Sequence, residues 1–191
     1  MSTGYKTKFI SAYHKTKELG LHIEGKPIPI GKALPDKKIK NICEITLGML
    51  RSSELKNSYD LAEKCIPVHM SLKEVLKKHL NVNAHVTIGD RYWDDFIYCE
   101  MTYDSIVKEI ESPSFDSPLR AHVWLTLSDG TILDCTGEAH SDLLFERGIY
   151  PSEQCISLIR PDKRIQQGYH RPFLIGSEFL TKTGSYRVIS S

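Results

Sequence analysis

Apolar residues recur along the chain at two different periods, and the switch between them marks out its elements. In "KIKNICEITLGMLRSS", Ile39, Ile42, Ile45 and Met49 return every three or four residues, which predicts a helix ending near Ser52 and Ser53. "YDLAEKCIPVHMSLKEVLKKHLNVN" carries a longer stripe of Val68, Leu72, Val75, Leu76 and Leu80, with the lysines mostly off it. This predicts the clearest helix of the chain, closing near Asn81 and Asn83. The period then falls to two. "AHVTIGD" alternates like a strand, and "YWDDFIYCEM" follows as a second strand-like run that includes Cys99.

"AHVWLTLSDGTILDCTG", Ala121 to Gly137, alternates on both sides of Ser128-Asp129-Gly130 and reads as a hairpin. "SDLLFERG" predicts a short helix stopped by Gly148, and "RPFLIGSEFLTKTGSYRVISS" holds either a strand and a short helix or two strands. "EGKPIPIGKALPDKK", Glu24 to Lys38, is too rich in Pro, Gly and Lys for a regular helix or a central strand, and reads as an extended connector. Helices followed by strands and a hairpin predict an α+β fold, with helices packed on an antiparallel sheet.

A length of 191 residues suits one core, so a single domain over residues 1–191 is expected, with residues 1–38 as a basic, Pro-containing N-terminal extension. No stretch approaches the roughly 20 apolar residues that span a bilayer, so no membrane association is assigned. The N-terminus lacks the apolar centre and small-residue cleavage site of a secretory signal. A cytoplasmic location follows, with signal-independent export left open. The five cysteines are odd in number and form no C-x-x-C pair, which points to reduced thiols rather than a disulfide framework or zinc ribbon. Net charge is only +1, yet the first 40 residues are lysine-rich and Asp90 to Asp142 is rich in carboxylates. No basic run is interleaved with aromatics, so no nucleic-acid partner is assigned. The lysines Lys73, Lys77 and Lys78 read as a solvated helix face. No GxGxxG, P-loop or GxSxG sequence is present to suggest nucleotide or serine-hydrolase chemistry.

The candidate chemistry begins at Cys65. A nucleophilic cysteine needs its thiolate stabilised, commonly by a helix N-terminus and by a histidine that takes its proton. Pro67 suits a first helical turn and would start the helix at Cys65, whereas Ser71 and Glu74 form a possible capping box that would start it near Leu72. Cys43, Cys99 and Cys135 read as packing groups, and Cys155 is undetermined. Cys65 and His69 lie four apart on one helical face, but a zinc site usually takes three or four protein ligands, and His85 and His140 could be added only by assumption. No metal and no cofactor is assigned, and His69 is expected to pack beside Cys65.

The hairpin holds the other two candidates, His122 and Asp134. A two-residue loop, Asp129-Gly130, would set Leu125 opposite Asp134 and send His122 and Asp134 to opposite faces. A three-residue loop ending in a left-handed Gly130 would set Trp124 opposite Asp134 and leave His122 and Asp134 as diagonal neighbours on one face. In that case Asp134 orients His122 and stabilises its imidazolium while the other ring nitrogen faces the thiol. The bland alternative has His122 capping a strand and Asp134 satisfying a turn.

A cysteine heading a helix in "CIPVHMSLKEVLKKHLNVNAHVTIGD", followed by "HVWLTLSDGTILDCTG", resembles the transglutaminase-like branch of the papain-like cysteine enzymes over roughly Tyr59 to Gly137. The resemblance implies a papain-like core with Cys65 as nucleophile, His122 as base and Asp134 as orienting acid. Cys135 stands where that branch often has proline, and no glutamine of the papain type precedes Cys65. Trp93, Asn57 and Tyr92 are candidates for the side-chain donor of an oxyanion hole. The activity implied is cysteine-dependent acyl transfer, foremost hydrolysis of an amide in a protein, peptide or small molecule (peptidase, amidase or deamidase). Transglutaminase or acyltransferase action on an amine is the first alternative. A non-catalytic binding module on the same fold, using the connector or the basic N-terminal region, is the second.

Overall fold

The structure is a computed structural model and describes residues 4–25, 30–114 and 118–186. The chain is α+β, and its described residues divide into two compact units. One holds 4–25, 87–114, 118–122 and 162–186, and the other holds 30–86 and 123–161. Two strands, β1 (Ala84–Tyr92) and β3 (His122–Leu127), carry residues in both units.

In the first unit, β1 pairs antiparallel with β2 (Ile97–Tyr98) and with β6 (Tyr169–Ile175). Ile88 faces Leu174 but Gly89 faces Pro172, so Phe173 is the extra residue of a bulge. A bulge tolerates the missing N–H of a proline inside a strand. Helix α1 (Tyr5–Glu18) packs on β6 through Phe9, Ala12 and Thr16. Thr16 makes the join specific: its hydroxyl donates to the Ala12 carbonyl at 2.7 Å and accepts the Ile175 N–H at 2.9 Å. No apolar period marks this segment in the sequence, because its buried face is one aromatic, one alanine and one threonine among lysines.

Helix α5 (Tyr103–Glu111) also went unassigned; Thr102 and Ser105 cap it reciprocally, with a serine where the usual motif has Glu or Gln. The run "YWDDFIYCEM" supplies only a two-residue strand, since Trp93 and Phe96 close a turn, and Cys99 lies just beyond β2 at φ +57°. The tail resolves into β6 and then α8 (Glu178–Lys182), the strand-and-helix alternative, while residues 187–191 lie outside the described residues.

In the second unit, α2 (Asp36–Ser52) starts three residues inside the expected connector, with Pro35 ahead of it and Asp36 in its positively polarised first turn. Residues 26–29 of the connector lie outside the described residues. Ile42, Thr46 and Leu50 bury the α2 face that meets α4 (Cys65–Leu80), whose buried apolar stripe is Val68, Leu72 and Leu76. Val75 and Leu80 sit only half-buried on its margin. Asn81 ends α4 in the left-handed conformation.

Helix α3 (Ser58–Leu61) packs on α6 (Gly137–Leu144), and both meet α7 (Ser152–Cys155). The helix expected over "SDLLFERG" therefore starts at Gly137, not Ser141, and ends before the left-handed Glu146 rather than at Gly148. Strand β4 (Ile132–Asp134) pairs antiparallel with β3 and with β5 (Ser157–Ile159). Trp124, Leu125 and Leu133 are fully buried, so this sheet forms part of the unit's apolar core.

Candidate active site

Helix α4 begins at Cys65 and not at Leu72, so the Ser71/Glu74 capping box is not used. Lys64 precedes the helix without a side-chain cap, and Pro67 lies in the first turn, where its missing N–H costs nothing. The Cys65 residue is buried at the helix N-terminus, where the dipole favours negative charge.

The hairpin has the three-residue loop. Leu125 pairs with Leu133 and Thr126 with Ile132, Leu127 N–H donates to the Thr131 carbonyl at 2.8 Å, and Gly130 takes φ +87°. Counting one pair outward sets Trp124 across from Asp134. Strand alternation from Trp124 back to His122 then sends the His122 side chain to the face that Asp134 shares. The turn is buttressed from outside the hairpin. Asp129 accepts the Leu34 N–H and the Thr131 N–H, each at 2.9 Å, and Gly31 N–H donates to the Ser128 carbonyl at 2.7 Å. Burial alone would raise the Asp129 carboxyl, but those bonds and Arg160 hold it below its ordinary value.

Asp134 is buried and its Oδ1 is committed locally, accepting the Thr136 N–H at 3.0 Å and the Gly137 N–H at 2.9 Å. Those are unpaired donors at the start of α6, so the carboxylate orders that helix N-terminus while its own orientation is fixed. The turn role weighed for Asp134 is therefore real, and it occupies one oxygen.

His69 is the residue whose role the sequence left vague. Its Nδ1 lies 2.8 Å from the Cys65 carbonyl oxygen, and the Cys135 N–H donates to its Nε2 at 3.0 Å. A carbonyl can only accept and an N–H can only donate, so the ring is the neutral tautomer protonated at Nδ1. Asp134 Oδ1 lies 3.8 Å from Nε2, but with that lone pair taken by Cys135 the contact is not an ion pair. Neither ring nitrogen offers a spare lone pair, so the Cys65/His69 spacing does not make a metal seat.

His122 is buried in the first unit beside Tyr98, with ring centroids 5.4 Å apart, and beside His170, at 6.1 Å. His170 is also buried, on β6 opposite Arg91, and the pattern reading missed it. The available signal was the alternation of His170, Pro172 and Leu174 in "GYHRPFLIG", all buried and separated by half-buried residues.

Each of the three oxyanion candidates makes a contact of its own. Asn57 Oδ1 accepts the Asp60 N–H as the cap of α3, Tyr92 stacks on Tyr169 beneath Arg171, and Trp93 lies under Arg91. None of the five cysteines is in a disulfide. Burial pushes Cys135 well above the ordinary thiol value, moves Cys155 up to about 11 and raises Cys43, so these three are disfavoured as thiolates. Several carboxylates of the acidic segment are paired with arginines. Arg171 grips Asp90 through two bonds of 2.7 and 2.6 Å, and Arg147 reaches Asp142 at 2.8 Å and Glu138 at 3.1 Å.

The chain matches no protein-family model, no curated protein and no solved structure. Among the described residues, no helix is long and apolar enough to cross a membrane.

Proposed function

We propose that the chain is a cysteine-dependent acyl-transfer enzyme of transglutaminase-like or papain-like type, acting foremost as a hydrolase of an amide bond in a protein, peptide or small molecule. Cys65 Sγ attacks the carbonyl carbon and its proton passes to His122. The tetrahedral intermediate collapses, the C–N bond breaks, and the departing amine takes that proton. Water then adds to the acyl-enzyme with His122 as base, and the acid leaves as the Cys65 sulfur regains its proton. Asp134 orients His122 and stabilises its imidazolium, and the bond falls to Oδ2 because Oδ1 is committed to Thr136 and Gly137. An amine in place of water would make the same site a transglutaminase or acyltransferase.

The observation that carries this reading is the three-residue turn at Ser128-Asp129-Gly130, since the two-residue form would have separated His122 from Asp134. Helix α4 starting at Cys65 supports it, as does the upward shift of three competing thiols. The test is mass spectrometry of the intact chain during incubation with a mixed peptide-amide pool, with and without a primary amine. The expected result is a transient acyl adduct on Cys65 that Cys65→Ala and His122→Ala both abolish. Its lifetime in water against amine separates hydrolase from transferase. No adduct on Cys65 under any of these conditions contradicts the reading and leaves a binding module.

A further inference from the structure

We infer that His69 is a positioning residue that locks the strand end carrying Asp134 to the first turn of the helix carrying Cys65. This rests on the acyl-transfer reading for its functional consequence, though not for its geometry.

The clamp works in two linked steps. The Nδ1–H bond to the Cys65 carbonyl, one helical turn earlier, fixes both the rotamer and the tautomer of the ring. With the proton held on Nδ1, Nε2 must present a lone pair, and it presents it to the Cys135 N–H. The peptide joining Asp134 to Cys135 is thereby tied to α4. On its other side Asp134 is tied to α6 by the Thr136 and Gly137 N–H groups. One imidazole therefore sets the distance between the residue proposed as nucleophile and the residue proposed to orient the base.

The environment suits such a device. His69, Cys135 and Asp134 are all buried, so the bonds are shielded from competing water, and an N–H of Cys135 left without its acceptor would carry a desolvation cost. The ring is not a proton carrier in this arrangement, because accepting a proton at Nε2 would set two N–H groups against each other. His69 thus has a different task from the one proposed for His122. A shift of about 1 Å in a catalytic group can cost around a hundredfold in rate, so a clamp at this point has consequences for the chemistry.

Two substitutions separate its bonds. His69→Gln places an amide oxygen where Nε2 accepts from Cys135, and His69→Asn places an amide N–H where Nδ1 donates to Cys65 while leaving Cys135 unbonded. The experiment uses the full chain with ¹⁵N-labelled histidine, reading the His69 ring nitrogens by NMR, together with the pH profile of Cys65 alkylation by iodoacetamide. Thermal melting checks that each variant is folded. The expected results are the neutral Nδ1–H tautomer at neutral pH, a displaced Cys65 profile with alkylation slowed about tenfold or more in His69→Asn, and recovery of most of that rate in His69→Gln. An Nε2–H tautomer or an imidazolium at neutral pH overturns the clamp. The right tautomer with an unchanged Cys65 profile in folded His69→Asn overturns the positioning role. Absence of an acyl adduct in the wild-type chain would sink the enzyme reading instead, and the ring-nitrogen result stands apart from it.

Discussion

Leu125 pairs with Leu133, and that one register decides which face of the hairpin Asp134 occupies. It follows from the loop, and the loop follows from Gly130, whose φ of +87° is open to glycine and strained for other residues. Gly130→Ala is expected to cost about 1–2 kcal/mol in urea unfolding, with Gly130→Asn milder because Asn tolerates the left-handed region. Deleting Ser128 is the larger change. It shortens the loop to two residues with Leu127 still opposite Thr131, so the register, the shared face of His122 and Asp134, and selective Cys65 reactivity should all survive in the folded chain, read by alkylation and peptide mapping.

Asp129 stabilises the fold as an anion. Its carboxyl is held below the ordinary value, so its contribution is fully present above the unfolded value of about 4 and is lost as pH falls through the lower folded value. Unfolding at pH 7 and near pH 3 should show that loss in the wild-type chain. Asp129→Asn should be less stable at pH 7 by about 2 kcal/mol and should show a smaller acid-dependent loss.

Asp90 is buried and relies on the Arg171 fork, with the Met101 N–H also donating to it at 3.2 Å. Arg171→Leu leaves that carboxylate without its cation and is expected to destabilise by about 3 kcal/mol. The double substitution Asp90→Leu with Arg171→Leu should recover much of the loss. A double-mutant cycle by thermal or urea unfolding checks the coupling, and additive effects would contradict it.

The thiols should react in a set order. Cys135 and Cys155 are buried and shifted up, Cys155 to about 11, so neither should react with a disulfide reagent at pH 8 until the chain unfolds. Time-resolved labelling with and without denaturant, followed by peptide mapping, measures this directly.

What could be read along the chain was what local rules control. The stripe of Val68, Leu72 and Leu76, the proline in a first turn, the αL end at Asn81 and the turn chemistry of Gly130 each depend on neighbours within a few residues. Helix α1 escaped because its partner β6 lies more than 150 residues away and Thr16, its decisive contact, is polar. Separation along the chain also hid His170, which comes beside His122 through the folding of β6 onto β1. His69 was visible as a neighbour of Cys65, but its tautomer depends on an N–H donated by Cys135 from 66 residues further on. The turn role of Asp134, weighed in the sequence against a catalytic one, is met by Oδ1.

The central claim is that Cys65 is activated by His122. It is tested most directly by measuring iodoacetamide alkylation at neutral pH, cysteine by cysteine, in the wild-type chain and in folded His122→Ala. Alkylation of Cys65 well ahead of the other four thiols is expected, with collapse of that lead when His122 is replaced. Five comparably slow thiols in the wild-type chain, or a Cys65 lead that survives the loss of His122, would contradict it.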